Sequence, residues 1–168
     1  IQGEEDGNYA IKPMLELVKK ANKKKPCAII IGCFDDTGLE QAREISLCPV
    51  LGIGESSFLL SYLFSGETAV ITTVHEAVPI IKKNIKNAGY STFISEVIAA
   101  DVEVLDLEFN PAQSAVKFAQ ASKALDGSTQ NIILGCAGAV KIKDEFETIT
   151  GYKSFDGCLL YTSDAADA

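Results

Sequence analysis

The sequence predicts an α/β protein with parallel sheets in two related halves. Short aliphatic strands alternate with helical patterns along nearly the whole chain, and this alternation is typical of parallel strands joined by crossover helices. Two strands also resemble each other. Residues 28–33 read Ala-Ile-Ile-Ile-Gly-Cys and residues 131–136 read Asn-Ile-Ile-Leu-Gly-Cys. The recurrence of an aliphatic run that ends in Gly-Cys indicates that the two halves are related.

The first half is predicted as one α/β domain over residues 1–66. Residues 1–8 are polar and are expected to be frayed. A helix is predicted from Ala10 to Lys24, with Pro13 in its first turn. A strand, a helix, a strand and a helix follow at 27–32, 38–45, 49–53 and 55–64. Thr37 and Glu40 have the spacing of a capping box for the helix at 38–45.

The second half is predicted as a further α/β domain over residues 67–157, after a turn at 65–67. Its strands are predicted at 68–72, 91–97, 131–134 and 152–155, and its helices at 75–87, 112–125 and 140–149. The apolar residues between 98 and 109 fit neither the helical nor the strand period. This stretch therefore has no predicted element.

Composition restricts the function classes. The 168 residues are 47% apolar and carry a formal net charge of −8, which argues against nucleic acid and an anionic membrane surface as partners. No apolar run approaches the ~20 residues that span a bilayer. A small-molecule substrate is the expected partner. The sequence leaves open whether the chain forms a homo-oligomer. The five cysteines contain neither CxxC nor a Cys/His metal spacing, so we expect no metal and reduced thiols in the cytoplasm.

Cys33 and Cys136 are the candidate catalytic residues. Each follows a predicted buried strand and precedes a predicted helix, and open α/β sheets bind ligands at that edge. The partial positive charge of a helix N-terminus favours a thiolate. We predict that the two sulfurs face each other across one cleft, where one removes a proton next to a carbonyl and the other returns it to the opposite face. The alternative is core filling, because free Cys is often buried, and Cys27 and Cys48 are interpreted in that way.

Four segments together resemble the aspartate/glutamate/hydantoin racemase superfamily, and they are most similar to its hydantoin and allantoin racemase branch. These segments are Ile-Ile-Gly-Cys-Phe-Asp-Asp-Thr-Gly-Leu at 30–39, Pro-Val-Leu-Gly-Ile-Gly-Glu at 49–55, Val-Ile-Thr-Thr at 70–73 and Leu-Gly-Cys-Ala-Gly at 134–138. The resemblance implies two pseudo-symmetric three-layer parallel-sheet domains with the active site between them. It also implies racemisation without a cofactor, with one catalytic cysteine per domain.

The resemblance further implies a set of substrate-binding residues. They are Phe34, Asp36, Thr72, Thr73, Gly135, Ala137 and Gly138. From the residues alone, either of two roles fits Asp35 and Asp36: contact with the substrate or capping of the loop. Two roles also fit Thr72 and Thr73: contact with a ligand or capping of the helix N-terminus. The substrate is expected to be hydantoin-like or derived from an amino acid.

The chain departs from the family pattern at both ends. It lacks the opening strand with its Asn-Pro loop, and residues 158–168 read like a translated sequencing adapter in place of a closing helix. The first domain is therefore expected to be incomplete, and this truncated chain is expected to be inactive. The alternatives are a decarboxylase or cis–trans isomerase of the same superfamily, and an inert α/β binding fragment. Decarboxylases of the superfamily resemble the chain only at the later cysteine, so Cys33 argues against that class.

Overall fold

The computed structural model describes residues 1–158 and contains two parallel β-sheets with helices packed against them. The predicted α/β class is confirmed. The α-helices are α1 Glu4–Asn22, α2 Leu39–Ile45, α3 Ile53–Tyr62, α4 Val78–Asn87, α5 Asp106–Phe109, α6 Pro111–Ala121 and α7 Lys143–Thr150. The strands are β1 Ile29–Ile31, β2 Val50–Gly52, β3 Glu67–Thr72, β4 Ile94–Ala99, β5 Thr129–Gly135 and β6 Lys153–Asp156. Short 3₁₀ helices lie at His75–Ala77, Ser122–Ala124 and Ala137–Lys141.

The larger sheet has four parallel strands in the order β4-β3-β5-β6 and is covered on both faces. Successive side chains of a strand point to opposite faces. Ile71 and Leu134 accordingly pack in the core formed with α6 and α7, whereas Val70 and Ile133 pack in the core formed with α3 and α4. A sheet that is buried on both faces needs continuous apolar strands, which explains why β3 and β5 show no polar alternation.

The smaller sheet consists of β1 and β2, paired in parallel. Ile31 and Val50 pack on one face against α1 and α2 in a core of their own. On the other face, Ile30 and Leu51 are register partners and are 45% and 37% exposed. In the described residues, the helices that cover this sheet therefore lie on one side of it.

Helix α3 joins the smaller sheet to the larger one. It begins directly after β2, and its residues Ile53 and Phe58 are buried in the same core as Val70 of β3. Phe34, which follows β1, packs edge-on against Phe58 with ring centroids 6.0 Å apart. This packing holds the carboxyl end of β1 close to the carboxyl ends of β3 and β5.

Three local predictions were wrong: the start of the first helix, the place of Pro13 in its first turn, and the capping box at Thr37. Helix α1 begins at Glu4, because its first turn holds Glu4, Glu5 and Asp6 and acidic residues stabilise a helix N-terminus; Pro13 thus lies inside the helix. The capping box at Thr37 does not form. Gly38 instead occupies the N-cap position of α2 with φ 72°, a conformation that favours glycine.

Residues 98–109 contain the short helix α5, whose Leu107 is fully buried, and a loop that buries Val102. Within residues 1–158, no helix is long and apolar enough to cross a membrane. Of the predicted non-native tail, residues 159–168 lie outside the described residues, so that prediction stays untested.

Candidate active site

A cavity of about 210 Å³ lies where β1, β3 and β5 end. Both candidate cysteines line it, together with every predicted substrate-binding residue except Asp36. Its lining consists of Ile1, Gly32, Cys33, Phe34, Asp35, Thr72, Thr73, Ala77, Val104, Gly135, Cys136, Ala137 and Gly138. The topology therefore joins residues that are far apart in the sequence at one edge of the fold, as expected for parallel sheets.

Cys33 lies two residues after β1 and is partly buried. The chain turns immediately after it, since the Asp36 N–H donates to the Cys33 carbonyl at 3.0 Å. This turn brings the Thr37 hydroxyl to 3.5 Å from the Cys33 sulfur. A hydroxyl at this distance can donate to a thiolate or accept from a thiol. Thr37 was predicted as a helix cap. Its position four residues after Cys33, within one turn, is the feature of the sequence that could have indicated the contact with the sulfur.

Cys136 follows β5 and precedes the 3₁₀ helix Ala137–Lys141. Burial raises the pKa of its thiol, and the Gly138 N–H, which donates to the sulfur, opposes this effect without cancelling it. The nearby Cys33 and Asp35 raise the pKa further. Burial therefore outweighs this hydrogen bond, and the raised pKa does not favour the thiolate expected for Cys136. At neutral pH this residue is a thiol and can donate a proton.

Thr72 is the last residue of β3, Thr73 follows it, and both are buried at the cavity. The Thr72 hydroxyl donates to the Gly135 carbonyl at 3.0 Å and so ties β3 to β5. Neither threonine caps the following 3₁₀ helix, which has Val74 at its N-cap. Gly135 belongs to the same close contact, because an added Cβ would lie 3.0 Å from a methyl of Val70 and 3.2 Å from the Thr72 Cα.

The Asp36 carboxylate lies outside the cavity and caps α3. One oxygen accepts the Gly54 N–H at 3.0 Å and the other accepts the Glu55 N–H at 2.7 Å. Of the two readings open for Asp36, these contacts favour the loop cap. Burial raises its pKa to about 7, although both N–H groups favour the ionised form.

The glycines of Gly52-Ile53-Gly54 make room for this cap. A Cβ on Gly52 would collide with the Asp36 carboxylate, and a Cβ on Gly54 would collide with the same carboxylate and with the Phe34 carbonyl oxygen. The Gly-x-Gly pattern thus reflects the packing of the loop after β1 against α3. That packing fixes the direction of the chain on both sides of Cys33.

The neighbouring Asp35 lies at the cavity itself. Its backbone is held by Asn84, whose side-chain amide donates to the Asp35 carbonyl at 2.8 Å. Burial raises the pKa of its carboxyl to about 6. Among the described cavity-lining side chains it is the single charged one, with neither Lys, Arg nor His beside it. Residues 1–158 contain no group of three His, Cys, Asp or Glu side chains placed to hold a metal ion.

Comparison with known proteins identifies the family. The sequence matches Asp/Glu/Hydantoin racemase over residues 1–164. The chain belongs to the Asp/Glu/hydantoin racemase family. It is 34% identical over 160 residues to a hydantoin racemase of Rhizobium meliloti. The matched region covers 94% of this chain and 66% of that protein.

Solved structures agree with this assignment. The chain is similar to the allantoin racemase from Klebsiella pneumoniae, with a TM-score of 0.83, 26% identity, and 94% and 65% of the two chains covered. It is equally similar to the allantoin racemase from Pseudomonas fluorescens, with a TM-score of 0.84, 26% identity, and 94% and 67% covered. The chain spans just under two thirds of the length of the hydantoin racemases that it matches.

Gly54→Ala should destabilise the full-length protein by about 1–3 kcal/mol, since its Cβ would press on the Phe34 backbone and the Asp36 carboxylate. Gly32→Ala is the matched control, because a Cβ at Gly32 meets nothing within 4 Å. The control should change the free energy of unfolding by no more than about 0.5 kcal/mol. Urea denaturation measures both variants, and equal effects would contradict the packing described for the loop.

Asp35 should make stability depend on pH. Its carboxyl has a pKa of about 6 in the folded protein and about 3.9 in an unfolded chain. This group therefore stabilises the fold below about pH 3.9, and the contribution is lost as pH rises through about 6. Asp35→Asn should accordingly gain up to about 2 kcal/mol relative to wild type between pH 4 and pH 7.5, as measured by urea denaturation at several pH values.

The control for this measurement is Asp126→Asn. Asp126 is exposed, and its pKa is lowered by the Ser128 backbone N–H. Its contribution to stability is present above the unfolded pKa and is lost as pH falls. The Asp126 variant should thus lose stability relative to wild type as pH rises, opposite in sign to the Asp35 variant. The same sign for both would contradict the burial effect assigned to Asp35.

Proposed function

We propose that the full-length protein is a cofactor-independent racemase or epimerase, which inverts a carbon next to a carbonyl in a hydantoin-like or amino-acid-derived substrate. The observation that carries the proposal is that Cys33 and Cys136, which follow different strands, line one small cavity. The named activities of the matched hydantoin and allantoin racemases support it. We further propose that residues 1–66 and 67–157 form two domains and that the reaction occurs between them.

The two thiols act as acid and base in turn. In one direction the Cys33 thiolate removes the proton, the C–H electron pair moves into the adjacent carbonyl, and an enolate forms. The thiol of Cys136 then delivers its proton to the opposite face of the same carbon. The step conserves protons, since Cys33 ends as a thiol and Cys136 as a thiolate. The reverse reaction exchanges the roles of the two residues.

Each sulfur has a partner for its thiolate form. The Thr37 hydroxyl lies near the Cys33 sulfur, and the Gly138 N–H donates to the Cys136 sulfur. Hydrogen bonds to a charged group are among the stronger ones. The burial of Cys136 keeps its proton in place until the enolate requires it. We assign the contacts with the substrate's carbonyl oxygens to Thr73 and to the backbone at Ala137, which line the same cavity.

The reactive carbon is easier to deprotonate in a neutral cyclic amide than next to a carboxylate, because a carboxylate resists further negative charge. A hydantoin-like ring therefore suits two thiols better than a free amino acid does. We also assign the enzyme to the cytoplasm, since Cys27, Cys33, Cys48 and Cys136 are free thiols and a reducing compartment keeps them so.

Serine substitution of either cavity cysteine tests the mechanism. Cys33→Ser and Cys136→Ser should each lower kcat for racemisation of a 5-substituted hydantoin by at least about 100-fold, because a serine hydroxyl is a far weaker acid than a thiol and so neither ionises to a usable base near neutral pH nor releases its proton readily. In deuterated water, wild type should place deuterium in the inverted product before it appears in the remaining substrate. Chiral chromatography and mass spectrometry measure both quantities.

Cys48→Ser is the matched control. The Cys48 sulfur lies 3.5 Å from the Ser46 hydroxyl, and Cys48 is absent from the cavity lining. This variant should keep wild-type activity. Retention of racemisation and exchange in both cavity variants would overturn the two-thiol mechanism. A wild-type protein that binds hydantoins without any exchange would favour the inert binding module.

A further inference from the structure

Among the described side chains that line the cysteine cavity, Asp35 is the charged one, and the two-thiol reaction gives it no task. It follows Cys33 by two residues and lines the cavity beside both sulfurs. It is also close enough to Cys136 to act on that thiol electrostatically. In addition, Asp35 borders a second and larger cleft of about 770 Å³ between α1 and α4, which the cysteines do not line. Asp35 therefore borders both the cysteine cavity and the larger cleft.

Within residues 1–158, the Asp35 carboxylate has no hydrogen-bond or ion-pair partner. Its neighbour Asp36 accepts two backbone N–H groups. The described contacts of Asp35 include a hydrogen bond to its backbone carbonyl but none to its carboxylate oxygens, and the α-ammonium of Ile1 lowers its pKa from beyond ion-pair distance. A partly buried carboxylate without a hydrogen-bond donor is less favourable than a solvated one, as the raised pKa of Asp35 indicates. Folding alone does not explain why such a group lies beside two reactive sulfurs, but a ligand that brings an N–H into the cavity would satisfy it.

We propose that Asp35 determines specificity: its carboxylate accepts a hydrogen bond from an amide or ureide N–H of a neutral substrate and disfavours substrates that carry a carboxylate at this position. This inference rests on the proposed racemase function and adds to it the residue that selects the substrate class. The described lining supports it, because it contains no Lys, Arg or His side chain to pair with a carboxylate, and its one cationic group, the α-ammonium of Ile1, already acts on Asp35. A substrate carboxylate would also add a third acidic group to a cavity that already holds Asp35 and a thiolate.

Two nearly isosteric substrates test the proposal in the full-length protein. They are 5-(carbamoylmethyl)hydantoin, which is neutral, and 5-(carboxymethyl)hydantoin, which carries a carboxylate. Wild type should prefer the neutral compound by about 10- to 100-fold in kcat/KM, the range expected for one unfavourable charge contact in a partly buried site. Asp35→Asn keeps the side-chain size and removes the charge, so it should reduce this ratio at least about fivefold.

Glu76→Gln is the matched control for charge. Glu76 borders the larger cleft but does not line the cysteine cavity, so its substitution should leave the ratio unchanged. Thermal melts check that each variant is folded. A second arm compares 5-benzylhydantoin with its N1-methyl and N3-methyl derivatives. Methylation at the nitrogen that faces Asp35 should lower wild-type kcat/KM about tenfold or more and should have little effect in Asp35→Leu.

The outcomes separate the two proposals. If wild type racemises neither hydantoin, the proposed function itself fails. If wild type racemises both and Asp35→Asn lowers the two kcat/KM values equally, the racemase proposal stands and the role of Asp35 is overturned. A wild-type preference for the carboxylate substrate would also overturn it. A ratio that changes in Asp35→Asn and stays constant in Glu76→Gln supports it.

Discussion

The position of Cys33 depends on the carboxylate of Asp36. Its two oxygens accept N–H groups at the start of α3, and α3 in turn packs into the core of the larger sheet. This contact links the loop of the smaller sheet to the strands that carry Cys136. The carboxylate oxygens satisfy two of the N–H groups that a helix start leaves unpaired, and glycine at 52 and 54 leaves the space that the Asp36 side chain occupies.

Burial then sets the chemistry of the cavity. It raises the pKa of the Cys136 thiol and raises that of Asp35 to about 6, since both ionised forms lose solvation. The raised pKa has a different consequence at Cys136 and at Asp35. A retained proton on Cys136 is what a proton donor needs, whereas a carboxylate without a protein partner reduces stability unless a ligand satisfies it. Functional sites often keep groups that the fold alone would not favour.

The sequence predicted the fold class and most of the cavity, because both depend on regular patterns. Aliphatic runs that end in Gly-Cys mark strand ends, and the carboxyl ends of parallel strands meet at one edge. It could not distinguish Asp35 from Asp36. The residues are identical and adjacent, and their different surroundings arise from the positive φ of 49° at Asp36 and from the approach of α3. The Thr37 contact with the Cys33 sulfur depends on the same turn.

The two Gly-Cys segments are related in sequence but hold their sulfurs in different environments. The Cys33 sulfur lies near a side-chain hydroxyl, and the Cys136 sulfur accepts a backbone N–H. A hydroxyl can rotate to donate or accept, whereas a backbone N–H can only donate. Two enantiomers have equal free energies, so a racemase must have equal kcat/KM values in the two directions. Unequal thiol environments can therefore make kcat differ between the two directions only if KM differs by the same factor.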